Sequence, residues 1–234
     1  MKLNADFSRP VRVGRSSHDW VPSPMPGVTR MMLDRIGDEV ARATSLVRYA
    51  PNSVFSPHTH GGGEEILVLK GEFADEHGRY PAGSYLRNPV GTAHAPRVGE
   101  QGAEIFVKLH QFDARDQRQC ALDTTVAAWL PGRVPGYQVM PLHRFGPERV
   151  RLLRWPANTT LETRRFPGGA ELLLLEGGIE TNYGALAPEA WLRLPTGAEL
   201  DVSTGSAPVL AWLKSGHLSE FATLVPGQGT QADE

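Results

Sequence analysis

The segment from His58 to Gly71 reads His-Thr-His-Gly-Gly-Gly-Glu-Glu-Ile-Leu-Val-Leu-Lys-Gly, and His94 follows thirty-four residues after His60. The residues after Glu64 form an apolar run of strand length, and Gly71 is expected to end that strand. His58 and His60 are two residues apart, so on a strand their side chains point to the same face. Three imidazoles and a carboxylate are a donor set that suits divalent transition metals. The segment therefore predicts a metal site in a β-structure.

The composition favours an all-β architecture with many tight turns. The chain has 234 residues, of which 40% are hydrophobic and 21% charged, as in ordinary globular proteins. It contains 25 glycines and 19 prolines, and the predicted strands are short. Short strands separated by glycine and proline are typical of sandwiches and barrels.

Charge and cysteine content exclude several classes of function. The formal net charge of −2 gives no electrostatic case for nucleic-acid binding. The single cysteine, Cys120, excludes an intramolecular disulfide and a multi-cysteine zinc site, and is interpreted as a free thiol. Residues 1–7 lack a hydrophobic signal core, and no apolar run approaches the roughly 20 residues that cross a bilayer. A cytoplasmic protein without membrane or nucleic-acid partners is expected.

The chain repeats itself at an offset of 106 residues, apart from a local slip near Pro81 and Pro188. Matching positions share residue types over much of each copy, and the clearest matches are Gly62-Gly63 with Gly168-Gly169, Glu65 to Gly71 with Glu171 to Gly177, and Tyr85 to Gly91 with Trp191 to Gly197. Two copies of one β-domain is the economical explanation. We assign residues 1–125 to the first domain with an N-terminal extension, 126–138 to a linker, 139–225 to the second domain, and 226–234 to a disordered tail.

The repeat separates candidate ligands from scaffold residues. At the same offset, the four candidate metal ligands His58, His60, Glu64 and His94 become Arg164, Phe166, Ala170 and Leu200. Glu65, in contrast, persists as Glu171. We therefore predict one metal site per chain with Glu64 as its carboxylate, and a structural role for Glu65 in both copies. The Arg164-Arg165 pair is interpreted as solvated surface in preference to an anion site.

These motifs resemble the cupin superfamily. The first cupin motif is matched by His58-x-His60-x-x-x-Glu64 with Gly71, and the second by Pro81-x-Gly83 followed by Pro89 and His94. The sequence from Gly62 to Gly78 is similar to sequences of the subfamily named for the C-terminal domain of the anti-sigma factor ChrR. The resemblance implies two tandem cupin barrels (jelly rolls, or double-stranded β-helices), the second of them degenerate. It also implies a metal held by His58, His60, Glu64 and His94.

The sequence leaves the activity open between two readings. One is a sensory, regulatory or small-molecule-binding module with one divalent metal in the N-terminal barrel. The other is an Fe(II)-dependent non-haem dioxygenase that cleaves a β-dicarbonyl or hydroxyketone-type substrate. Zinc and iron fit the ligand set best, and manganese and nickel also accept it. No catalytic base and no organic cofactor site are identified, and His110 is placed on a strand of undetermined facing.

Partner predictions follow from the same resemblance. A small-molecule ligand is expected in the N-terminal barrel. Val11 and Val13 can form an edge strand, which favours either a homodimer or pairing within their own domain. The region before the first barrel has no cysteine for the zinc cluster of an anti-sigma domain, so direct binding of a sigma factor is not expected.

Overall fold

The computed structural model describes residues 1–14, 19–38 and 40–219, and these residues form strands and turns without an α-helix. They divide into two compact units, one containing residues 1–5 and 19–129, the other containing residues 6–14 and 130–219. All pairings between strands are antiparallel. The predicted all-β class with two barrel domains is confirmed. The predicted tail, 226–234, lies outside the described residues.

The first unit contains eleven strands among its described residues. They are β1 (Lys2–Leu3), β3 (Val21–Pro22), β4 (Val28–Gly37), β5 (Ala41–Tyr49), β6 (His58–Thr59), β7 (Glu64–Ala74), β8 (Arg79–Pro81), β9 (Ser84–Asn88), β10 (Ala93–His94), β11 (Arg97–Leu109) and β12 (Cys120–Asp123). The large sheet has the order β1-β4-β5-β11-β7-β9-β12, with β3 beside β4 and β8 beside β7. A separate two-stranded sheet pairs β6 with β10.

The second unit repeats this plan with ten strands among its described residues. They are β2 (Val11–Val13), β13 (Leu130–Pro131), β14 (Gln138–Phe145), β15 (Glu148–Trp155), β16 (Thr160–Phe166), β17 (Ala170–Glu176), β18 (Ile179–Thr181), β19 (Trp191–Leu194), β20 (Ala198–Thr204) and β21 (Val209–Ser215). Their sheet orders are β13-β14-β15-β21-β17-β19-β2 and β16-β20-β18.

Strand alternation creates the core of each barrel. On β7, Ile66 and Val68 face the interior of the first barrel, where they pack with Leu86, Ile105 and Val107. The corresponding core of the second barrel holds Leu172, Leu174, Leu192, Ala211 and Leu213, each 106 residues further along the chain. Successive side chains point to opposite faces, so residues of one parity fill the interior. The repeat seen in the sequence is therefore a repeat of inward-facing positions.

Gly71 does not end its strand, contrary to the prediction. β7 continues to Ala74, and its pairing with β11 shifts register between Val98 and Ala103. Gly71 has a φ of 68°, and a side chain there would collide with the carbonyl oxygen of Gly102. Glycine tolerates both constraints, so it permits a bulge inside the strand where other residues would interrupt it. The turn that contains Glu76-His77-Gly78 joins β7 and β8 into a hairpin.

The N-terminal strand belongs to the second unit. Val11 and Val13 on β2 pair with Arg193 and Trp191 on β19. The equivalent strand of the first barrel is β9, and its edge is covered by β12. The sequence prediction placed residues 1–125 in the first domain, as a barrel with an N-terminal extension, whereas residues 6–14 group with the second unit. The reason is that β19 leaves an unpaired sheet edge, and the preceding chain supplies the strand that covers it.

Glu65 and its counterpart Glu171 lie in buried polar networks, as predicted for scaffold residues. Tyr85 donates a hydrogen bond to Glu65 over 2.5 Å, and Arg87 lies 3.4 Å from the same carboxylate oxygen. Arg87 also forms a 2.6 Å ion pair with Asp116. In the second barrel Glu171 accepts hydrogen bonds from Trp191 and His217. These networks fix strands β9 and β19 onto the barrels.

Cys120 is a half-buried free thiol on β12, and burial raises its pKa. Trp155, Trp191 and Trp212 are buried core residues. The described part of the chain has no helix with the length and apolarity needed to span a bilayer.

Candidate metal centre

The four predicted ligands come together at one end of the first barrel. β6 and β10 pair so that His58 lies directly opposite His94. His60 follows β6 immediately, and Glu64 is the first residue of β7. One nitrogen or oxygen atom from each of the four residues lies within 4.8 Å of the others. The imidazole centroids are 4.7 to 5.1 Å apart, so the rings converge on a common point.

A glycine loop makes this convergence possible. Side chains at Gly62 and Gly63 would collide with His110 and Phe112 respectively, and Gly63 has a φ of 78°. Only glycine meets both demands at Gly63. The loop can therefore turn tightly between His60 and Glu64. His110 itself lies just beyond the end of β11, with a φ of 55°, and so is not on a strand as predicted. It packs on the glycine loop outside the ligand cluster.

Hydrogen bonds at Nδ1 orient the two buried imidazoles. His60 Nδ1 lies 3.0 Å from the hydroxyl oxygen of Thr92. His94 Nδ1 lies 3.1 Å from Oδ2 of Asp75, whose other oxygen accepts hydrogen bonds from Tyr80 and from backbone N–H groups. A partner at Nδ1 fixes the ring and leaves the Nε2 lone pair for a metal ion. This arrangement is the usual support of a metal-binding histidine.

The inner nitrogen atoms fit a metal ion. Nε2 of His60 and Nε2 of His94 are buried and form no hydrogen bond of acceptable geometry. Oε2 of Glu64 lies 3.2 Å from the first and 3.5 Å from the second, and it also accepts a 3.1 Å hydrogen bond from Asn88. Buried polar atoms in proteins are almost always satisfied. A divalent cation between these three groups would satisfy them together.

The electrostatics favour the metal-binding protonation states of His94 and Glu64. Burial lowers the pKa of His94, which favours the neutral imidazole. Burial by itself would raise the pKa of Glu64, but the favourable interactions of the carboxylate with His60, His94 and Asn88 outweigh burial, and the pKa is lowered. A neutral imidazole and an ionised carboxylate are the forms that coordinate metals.

The site opens to solvent on one side. His60, Glu64 and His94 are 3 to 8% exposed, whereas His58 is exposed at the rim. Nδ1 of His58 lies 3.3 Å from the carbonyl oxygen of Ser56. Burial raises the pKa of the Tyr49 phenol, and the charge of the nearby Glu64 carboxylate raises it further. A small molecule can therefore approach from the His58 side.

Sequence reasoning missed the residues that support the ligands. A signal for them was present in the repeat, because each polar supporting residue of the first copy is replaced at an offset of 106. The replacements are Asn88 by Leu194, Thr92 by Ala198, Asp75 by Thr181 and Tyr49 by Trp155. The candidate ligands and their supporting residues are thus replaced together in the second copy, where Arg164 pairs with Leu200 in place of His58 with His94.

Replacing Asp75 with Asn is expected to weaken metal binding about 10- to 100-fold. The amide would present an N–H to His94 Nδ1, so the ring would carry its proton on Nε2 and the lone pair would be lost from the centre. Competition with a chromophoric zinc chelator measures the effect. Glu76→Gln, one residue along and exposed, is the control. Equal zinc affinities for the two variants would contradict this role for Asp75.

A family model described as the ChrR cupin-like domain matches residues 8–113 and again residues 117–219. No curated protein matches the chain significantly. Similar solved structures include a proposed dioxygenase from Nostoc punctiforme, with 17% identity, a TM-score of 0.70 and coverage of 98% of this chain and 87% of that chain.

Two further similar structures span most of the chain. A proposed glyoxylate-induced protein from Pseudomonas aeruginosa has 14% identity, a TM-score of 0.72 and coverage of 88% of each chain. Oxalate decarboxylase from Lactobacillus farciminis, solved as a formate complex, has 11% identity, a TM-score of 0.60 and coverage of 88% of this chain and 86% of that chain. Similarity at these identities establishes the fold and leaves the activity to the site.

Proposed function

Because this chain belongs to the ChrR cupin-like domain family, we propose that its first barrel binds one divalent transition metal through His58, His60, Glu64 and His94. The observation that carries the proposal is the pair of buried, unsatisfied Nε2 atoms that face one carboxylate oxygen. The proposed role is that of a sensory or small-molecule-binding module. The metal would supply Lewis acidity and a fixed point for an oxygen-containing ligand.

The protein's own residues define how a ligand would bind. The exposed rim at His58 admits it, and the buried side of the cluster excludes water behind His60 and His94. The apolar core beneath, with Phe73 6.0 Å from the His94 ring, favours a ligand with an apolar portion. Tyr49, held in its neutral form, can donate a hydrogen bond to a ligand oxygen.

A second candidate function is an Fe(II)-dependent dioxygenase acting on a β-dicarbonyl or hydroxyketone. The ligand count favours it, since four protein ligands leave positions free on an ion that takes six. The similar structure described as a proposed dioxygenase supports the candidate by its fold alone. A homodimer is likewise a proposal, which sedimentation velocity would test.

Metal analysis after anaerobic purification separates the two candidates. If the protein is a sensory or binding module, we expect about one zinc per chain and no oxygen consumption with pentane-2,4-dione. If it is a dioxygenase, we expect the purified protein to contain iron and to take up oxygen only when that substrate is present. The matched control is Glu65→Gln, which leaves the four ligands in place and should keep the metal content. Purified protein that binds none of zinc, iron, manganese or nickel would contradict both.

A further inference from the structure

The second barrel contains a cavity of about 520 Å³ where the first barrel holds its ligand cluster. Its apolar lining includes Leu153, Trp155, Phe166, Leu172, Leu200 and Leu213. Phe166 and Leu200 replace His60 and His94 of the first copy. The volume is within the range of pockets that enclose small organic molecules. The apolar residues at the positions of the candidate ligands therefore line a cavity instead of a filled core.

Positive charge is concentrated at the cavity mouth. Arg133, Arg164 and Arg165 line it, and Glu162 is the carboxylate among the described lining residues. Arg164 occupies the position of His58, pairs with Leu200, and places its guanidinium 5.4 Å from the Phe166 ring centroid. The Arg164 side chain is thus on the cavity side of β16, and the mouth carries an excess of cations.

A fourth arginine, which is not among the residues that line the cavity, lies on the wall of the same barrel. Arg151 is on β15 and shares its face with Leu153 and Trp155, since the three are spaced two residues apart. One of its terminal nitrogens donates a 2.9 Å hydrogen bond to Ser215, but its Nε is buried without a partner. Burial, and then the nearby charge of Arg164, lower the pKa of Arg151 to about 10. Two neighbouring cations beside an apolar cavity repel each other, and an anion between them would offset this repulsion.

Trp155 offers an additional unsatisfied donor. It lines the cavity, is 4% exposed, and its indole N–H is buried without an acceptor. Tyrosine and tryptophan donors that are buried usually find a partner. The described lining thus combines an apolar wall with three cations, one carboxylate and an indole donor, so donors and positive charge are in excess. The chemistry complementary to this lining is an anion on an apolar body.

We propose that the second barrel binds a small organic carboxylate. Its apolar body fills the cavity between Trp155, Phe166 and Leu200, and its carboxylate is held between Arg151 and Arg164. Arginine suits this task because its planar guanidinium forms charge-assisted hydrogen bonds with carboxylates. The proposal concerns residues that the metal centre does not use, so it stands or falls separately from the function of the first barrel.

Isothermal titration calorimetry on the full chain, treated with a chelator, tests the proposal with octanoate as the probe. Octanoate should bind once per chain, at least about 10-fold more tightly than the uncharged 1-octanol or the short anion acetate. His60→Ala should bind octanoate as well as wild type does. Equal affinity for 1-octanol, equal affinity for acetate, absence of octanoate binding, or its loss in His60→Ala would each overturn the proposal.

Two arginine variants locate the carboxylate. Arg164→Leu and Arg151→Met should each weaken octanoate binding about 10- to 100-fold, as expected for a lost charge-assisted hydrogen bond. Arg154→Met, on the exposed face of the same strand β15, is the matched control and should bind like wild type. Arg164 is exposed, so its replacement leaves folding intact and keeps the test valid if Arg151→Met misfolds. Wild-type affinity in Arg164→Leu would overturn the proposed binding mode.

Discussion

His60→Ala is expected to lower zinc affinity at least about 100-fold, beyond the range of changes in supporting residues. His60 is 6% exposed, its Nδ1 is held by Thr92, and its Nε2 faces Glu64. Alanine removes a ligand whose position no other side chain can take. The remaining ligands would be one rim histidine, His94 and Glu64. Metal content after purification, and competition with a chromophoric chelator, measure the loss.

The thermal stability of the same variant gives an independent readout. Zinc that binds only the folded protein raises the melting temperature of the wild type, and this shift should vanish in His60→Ala. His77→Ala, in the exposed turn of the β7–β8 hairpin, is the matched control and should keep both zinc affinity and shift. If His60→Ala purified with full metal occupancy, the ligand assignment would be wrong.

The second large effect concerns stability, and Arg87→Met is expected to lower the free energy of unfolding by about 3–5 kcal/mol. Arg87 is 1% exposed and lies between the carboxylates of Glu65 and Asp116, with its guanidinium 4.0 Å from the Phe112 ring centroid. Methionine fills similar volume but leaves two buried carboxylates without the cation that they share. Urea titration followed by circular dichroism measures the change.

A surface pair serves as the control for this effect. Arg79 forms an ion pair with Glu72, but the Arg79 side chain is 74% exposed. Arg79→Met should therefore change the free energy of unfolding by no more than about 1 kcal/mol, because solvent screens exposed pairs. Similar losses for Arg87→Met and Arg79→Met would refute the idea that the buried network holds β9 on the barrel.

The cluster of candidate ligands and the number of domains were predictable because each rests on local sequence or on the repeat. His58 and His60 share a strand face by parity alone, and the offset of 106 shows that Glu64 varies while Glu65 persists. In the structure, one nitrogen or oxygen atom from each of His58, His60, Glu64 and His94 lies within 4.8 Å of the others. The strand end at Gly71 was wrong because a bulge depends on the partner strand, which local sequence does not reveal.

The tertiary structure decided whatever depends on contacts between distant strands. The pairing of β2 with β19 joins residues about 180 positions apart, and no local pattern specifies which sheet edge is free. Asp75 supports His94 only because the end of β7 lies beside β10, and Arg151 comes near Arg164 only through barrel closure. The sequence alone therefore determined the fold class and the candidate donor atoms, since strand parity and repetition can be read along the chain. The supporting residues and the cavity of the second barrel could be identified only from the tertiary structure, because the register between strands sets which side chains meet.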